Sequence, residues 1–144
     1  DNVKLAKEID ADGVHLGQDD LDIKAAREYL GANKIIGVSA HNVKEALEAE
    51  NGGADYLGSG AAFVTSTKTD AGAIDHKVLS VVAHSVKIPV VAIGGINKDN
   101  ISQLEGLGLD GVAVVSAIFA ADDISSAVID LKAKAEKVAE SSVK

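Results

Sequence analysis

At 144 residues and 47% apolar content, the chain can bury one core and is too apolar to be disordered. Fourteen basic residues face 22 acidic ones, the net charge is −8, and Arg27 is the only arginine; this excludes nucleic acid, whose phosphates demand a cationic face. Cysteine is absent, which excludes disulfides and thiolate or zinc–sulfur chemistry, and no apolar run approaches the ~20 residues of a membrane helix.

No charged-then-apolar leader opens the chain, so the expectation is a cytoplasmic globular protein, a single domain over 1–144. The first strand is expected at Val14-His15-Leu16, with a helix over 21–30 that places Ile23, Ala26 and Leu30 on one side. The second strand is expected over 34–38 and its helix over 43–49. A third strand, Tyr56-Leu57-Gly58, precedes a long loop over 59–75 and a helix over 76–86. Strands over 89–93 and 112–115 follow, with helices over 100–107 and 124–138. Asp122 and Asp123 stand ready to cap the last helix.

Several of these strands are apolar at consecutive positions, as in parallel sheets covered on both faces. Strand–helix alternation five times over implies a parallel α/β sheet with right-handed crossovers. Ala11-Asp12-Gly13-Val14, Ala54-Asp55-Tyr56-Leu57 and Leu109-Asp110-Gly111-Val112 enter strands with one signature. Such repetition suggests a barrel or a solenoid-like array, with a flavodoxin-like open sheet as the other possibility.

In these architectures ligands lie at the C-terminal ends of the strands. The first such end is Gly17-Gln18-Asp19-Asp20. A carboxylate there suits Mg²⁺ beside a diphosphate, while on pattern alone Asp19 or Asp20 capping the next helix is the better account. After the second strand, Ser39 suits either a ligand oxygen or a helix cap, as does Asn42 for the cap, and His41 reads as a bystander. The third loop, Gly58 to Ala71, is the most unusual segment: Thr65, Ser66, Thr67 and Lys68 form a cluster of phosphate donors. A loop this long in a compact domain points to function. Gly94-Gly95 and Ser116 follow the last two strands, where barrels often bind phosphate. His15 reads as packed and hydrogen-bonded, His76 and His84 as solvated.

In this order, ADGVHLGQDD (11–20), IIGVSAHN (35–42), GADYLGSGAAF (53–63), TSTKTDA (65–71), IPVVAIGGIN (88–97) and DGVAVVSAIF (110–119) resemble the thiamine-phosphate synthase (thiamine-phosphate pyrophosphorylase) family. The resemblance implies a (β/α)8 barrel. It implies joining of hydroxymethylpyrimidine diphosphate to thiazole phosphate, with release of diphosphate. It further implies Asp1 and Asp20 as Mg²⁺ ligands, and Ser39 and Lys68 on the pyrimidine diphosphate as the catalytic contacts. Thr65, Ser66 and Thr67 would hold the thiazole phosphate, Gly95, Val115 and Ser116 would give mostly backbone contacts, and Gln18 would line the pocket. This reverses the capping account of Asp20. The related thiazole tautomerase generally lacks both the Gln-x-Asp and the Thr-x-Thr-Lys-x-Asp patterns. A non-catalytic phosphate-binding or assembly module derived from the barrel is the rival of a different class.

The family chain is longer, so the expected fold is an incomplete (β/α) barrel of about five units, with the first strands of the eight missing. Self-association through the open sheet edges would be one way to close it. Val64 stands where the family usually has proline. Ser59 stands where an apolar residue is usual, which places a hydroxyl near the barrel interior.

Overall fold

The apolar runs do form strands, and each is followed by a helix or turn that returns the chain in parallel. The computed structural model describes residues 1–64 and 73–142. The order is α1 (Val3–Glu8), β1 (Gly13–Leu16), α2 (Ile23–Leu30), β2 (Ile35–Ala40), α3 (Val43–Asn51), β3 (Tyr56–Ser59), α4 (His76–Ser85), β4 (Val90–Ile93), a 3-10 turn (Ile101–Leu104), β5 (Gly111–Ala113), α5 (Ser116–Phe119) and α6 (Ile124–Glu140).

The five strands among the described residues are all parallel and pair in the order β1-β2-β3-β4-β5. Each crossover therefore steps in the same direction, and right-handed crossovers then carry the helices to one face. A flavodoxin-like sheet reverses direction at a switch point, so its order cannot be sequential. The order found is that of barrel strands.

Side chains alternate across the sheet. Leu16, Ile36, Leu57 and Val90 point toward the helices and are buried. They meet Ala26 of α2, Ala46 of α3, Leu79 and Val82 of α4, and Leu131 of α6 in one apolar cluster. Alanine at the helix positions allows close approach, and each buried Leu or Ile contributes about 1.5–3 kcal/mol.

The repeated strand-entry aspartate has a structural meaning. Asp55 Oδ2 accepts the Ile36 N–H (2.7 Å), and Asp110 Oδ2 accepts the Val90 N–H (2.8 Å). Each ties the start of its own strand to the start of the preceding one. Asp12 stands before β1, and its backbone carbonyl accepts the Ile35 N–H at 2.9 Å, which ties the start of β1 to that of β2. These contacts brace the N-terminal rim, away from the expected ligand side.

Several boundaries differ from expectation. The expected helix over 100–107 is only the 3-10 turn, because Gly106 and Gly108 take positive φ (75° and 80°) just beyond it. The second helix is capped by Asp22, which accepts from the Lys24 and Ala25 N–H groups, not by Asp19 or Asp20. Asn42, not Ser39, caps α3. Two short helices, α1 and α5, were not expected. Ser59 is fully buried on the helix side, paired in register with Ala40 and Ala92, and so does not face the barrel interior. Its hydroxyl has no hydrogen-bond partner among the described residues. No helix among these residues is long and apolar enough to cross a membrane.

Candidate active site

The sheet face turned away from the helices carries the polar groups. His15, Gly37 and Tyr56 lie in register on β1, β2 and β3, with Ser39 and Gly58 two residues nearer the strand ends. The His15 and Tyr56 rings lean toward each other over β2, with centroids 5.5 Å apart. Gly37 makes room for them, since a Cβ there would lie 2.1 Å from the Tyr56 ring. His15 Nδ1 and the Tyr56 hydroxyl are 3.0 Å apart, and His15 Nε2 and Ser39 Oγ are also 3.0 Å apart. Burial pushes the Tyr56 phenol above its usual pKa, so it keeps its proton.

Beyond this layer, at the C-terminal ends of the strands, lies a cavity of about 270 Å³. Ser39, His41, Ile93, Gly95, Val115 and Ser116 line it. His41 is oriented by Glu45, whose Oε2 accepts the His41 N–H (2.8 Å) and lies 2.9 Å from its Nδ1. Burial pushes the Glu45 carboxyl up, but the bonds from His41 and Asn42 outweigh it and hold the group below its usual range. Glu45 is also the third residue of α3, where the N-cap Asn42 accepts its N–H at 3.0 Å and donates its side-chain amide to the Glu45 carboxylate.

The Gly-Gly pair also has a packing role. Gly94 and Gly95 both have positive φ (99° and 65°). The third loop's own backbone packs on them: Ala62 N–H donates to Ile93 O (2.8 Å) and Phe63 N–H to Gly94 O (3.0 Å). A Cβ on Gly95 would stand 2.7 Å from the carbonyl oxygens of Phe63 and Val64. These glycines thus seat residues 61–64, the described start of the third loop, against the end of β4 while Gly95 still borders the cavity.

The first loop reaches the same rim from β1. The Gln18 amide donates to Ser39 O, and Asp20 Oδ2 accepts the Gly17 N–H at 2.7 Å. The Asp1 ammonium donates to His15 O at 2.7 Å, so Asp1 sits beside the outgoing end of β1. Gln18 and Asp20 border a second cavity, about 410 Å³, which extends between α2 and α3 to Glu48 and Asn51. The structure therefore joins Ser39, Gly95, Val115 and Ser116 at one cavity and sets Gln18 and Asp20 in its neighbour. Gln18 bridges the two through the Ser39 carbonyl.

The family model for thiamine monophosphate synthase matches residues 1–118. The chain belongs to the thiamine monophosphate synthase family. It is 49% identical over 132 residues to the thiamine-phosphate synthase of Clostridium beijerinckii, covering 92% of this chain and 63% of that one. It is 52% identical over 134 residues to the enzyme of Chloroflexus aurantiacus, covering 92% and 62%. The chain thus spans about three-fifths of the length of these curated relatives. Among solved structures, the thiamine phosphate pyrophosphorylase of Pyrococcus furiosus superposes with a TM-score of 0.86 at 48% identity, over 96% of this chain and 66% of that one. A 3-hexulose-6-phosphate synthase superposes with a TM-score of 0.68 at 20% identity, a likeness of fold alone.

Four site residues expected from the family pattern, Thr65, Ser66, Thr67 and Lys68, lie outside the described residues. Among the described residues no group of three or more His, Asp or Glu side chains gathers as for a metal ion. The oxygen chemistry of Asp1 and Asp20 nevertheless fits Mg²⁺, which binds proteins through one or two carboxylates and takes its other ligands from phosphates and water. Three described residues outside the expected set also stand at or beside the cavity. His41 is on its wall. His15 is hydrogen-bonded as expected, on the cavity side, with Tyr56 beside it. The signal was available in alternation: Leu16 and Leu57 face the helices, so His15 and Tyr56 must face the other way. His76, expected to be solvated, is half-buried, with its Nε2 3.1 Å from Ala62 O and its ring edge-on to Phe63.

Proposed function

We propose that this chain takes part in joining hydroxymethylpyrimidine diphosphate to thiazole phosphate, giving thiamine phosphate and diphosphate. One observation carries the reading: a strand-end cavity joins Ser39, Gly95 and Ser116 in a chain about half identical to thiamine-phosphate synthases over most of its length. In this reading the bond from the pyrimidine methylene carbon to the diphosphate oxygen breaks, and its electron pair leaves with diphosphate. The thiazole nitrogen lone pair then forms the new carbon–nitrogen bond. No covalent nucleophile or strong base is required.

The protein's part is positioning and charge stabilisation. Ser39 donates to the pyrimidine diphosphate and Lys68 balances the negative charge that grows on the leaving group. Thr65, Ser66 and Thr67 hold the thiazole phosphate, with backbone contacts from Gly95, Val115 and Ser116. Gln18 holds the pocket wall at Ser39. Mg²⁺ at Asp1 and Asp20 would neutralise charge on the diphosphate. A cytoplasmic setting belongs to the same reading.

The test is to incubate the chain with both substrates and Mg²⁺ and measure thiamine phosphate by chromatography. Lys68→Ala and Asp20→Ala are each expected to lower turnover about 100-fold or more. Turnover that survives both changes rejects this site. Ligand binding with no turnover selects the non-catalytic phosphate-binding module instead.

For partners, the proposal is self-association. β1 and β5 each pair with one neighbour among the described residues, and a free strand edge is a template for another chain. The expected result in size-exclusion chromatography is a mass above the monomer that rises with concentration. A monomer at every concentration rejects it.

A further inference from the structure

Tyr56, His15 and Ser39 form a line of hydrogen bonds across three strands, and its direction can be worked out. The phenol has one proton to give, and the partner found for it at 3.0 Å is His15 Nδ1. If Nδ1 accepts, a neutral imidazole carries its proton on Nε2. Nε2 lies 3.0 Å from Ser39 Oγ, so Nε2–H donates to that oxygen. The Ser39 hydroxyl then accepts from inside the sheet, and its own proton is left to donate outward. Ser39 borders the 270 Å³ cavity. Hydrogen bonds in series polarise one another, so each bond strengthens the next donor.

We infer that Tyr56 and His15 are positioning residues: they fix one His15 tautomer and so turn Ser39 into a hydrogen-bond donor aimed at an anionic oxygen in the cavity. The packing supports a fixed arrangement. Gly37 leaves a gap under the Tyr56 ring, and a Cβ at Gly58 would lie 3.0 Å from His15 Cε1. Larger residues at either position would push the rings out of line. The Gln18 amide donates to the Ser39 carbonyl, which holds the serine backbone while the line orients its hydroxyl. The reverse polarity, with Ser39 donating inward to Nε2, would offer the cavity only lone pairs. That would repel a phosphate oxygen. The oxyanion that Ser39 serves rests on the function proposed above; the polarity of the line does not.

The experiment has two independent arms on the chain as it exists. In the first, nitrogen NMR of ¹⁵N-histidine protein, with His15 assigned by His15→Gln, reads the ring protonation. The expected result is a neutral ring protonated at Nε2, and loss of that single-tautomer signature in Tyr56→Phe. A ring protonated at Nδ1, or at both nitrogens, at neutral pH overturns the inference. In the second, calorimetry measures inorganic diphosphate binding in the presence of Mg²⁺. Tyr56→Phe is expected to weaken binding about fivefold with Ser39 present and less than about twofold in a Ser39→Ala background, as one oriented hydrogen bond would. His15→Gln, whose amide N–H can stand in for Nε2–H, is expected to retain more binding than His15→Ala. Equal losses from Tyr56→Phe in both serine backgrounds overturn the positioning role. If wild type neither binds diphosphate nor forms product, the proposed function fails, and the tautomer measurement alone decides this inference.

Discussion

The Asp55 carboxylate lies 2.6 Å from the Arg27 guanidinium while accepting the Ile36 N–H at 2.7 Å, and so joins α2, β2 and the start of β3 at one point. Arg27 also donates to the carbonyls of Lys34 and Gly53. The single arginine of the chain is thus spent on the rim away from the cavity, on structure and not on a phosphate.

Asp55→Asn is expected to destabilise the fold by about 1 kcal/mol at neutral pH, a figure kept small because the side chain is about half exposed. Burial pushes the Asp55 carboxyl up, but the bonds from Ile36 and Arg27 prevail and hold it below its usual range. Its stabilisation is therefore present above the unfolded pKa of about 3.9 and is lost as pH falls through the lower folded value. Urea unfolding at pH 7 and at pH 3 should show the gap between wild type and variant narrowing in acid. A constant gap would mean that charge is not the cause.

Ser59→Ala is expected to raise stability by about 1 kcal/mol. The hydroxyl is fully buried on the helix side of β3 without a partner among the described residues, and an orphaned polar group carries its whole desolvation penalty. The denaturation midpoint should rise with the slope unchanged. A lower midpoint would reveal a partner for Ser59.

Gly95→Ala is expected to destabilise the chain by about 1–3 kcal/mol and to weaken diphosphate binding. The residue has φ of 65°, and its new methyl would meet two backbone carbonyls of the third loop at 2.7 Å, neither of which can rotate away as a side chain might. Thermal unfolding and calorimetry check the two effects. Unchanged stability would show that the loop does not pack on this glycine.

Glu45→Ala is expected to cost about 1 kcal/mol. It removes the carboxylate that accepts from the His41 N–H and the Asn42 amide at the start of α3, and with it the anchor of His41. Because the folded carboxyl titrates below its usual range, this contribution also fades as pH falls. Loss of helical circular dichroism at lower urea than in wild type is the check.

The sequence by itself determined the alternation of strands and helices, because short β-rich runs and the amphipathic helices that return between them are local patterns along the chain. It also determined the family, since ADGVHLGQDD and TSTKTDA are read without coordinates. It did not decide which aspartate caps α2. Asp19, Asp20 and Asp22 all have the right chemistry, and only the backbone path selects Asp22. Nor did it reveal what the strand-entry aspartates bind, since Asp55 and Ile36 are 19 residues apart. The line from Tyr56 through His15 to Ser39 belongs wholly to the tertiary structure. Strand register brings together residues 41 and 24 positions apart in the chain, and a hydrogen bond depends on distance in space, to which local sequence pattern is blind.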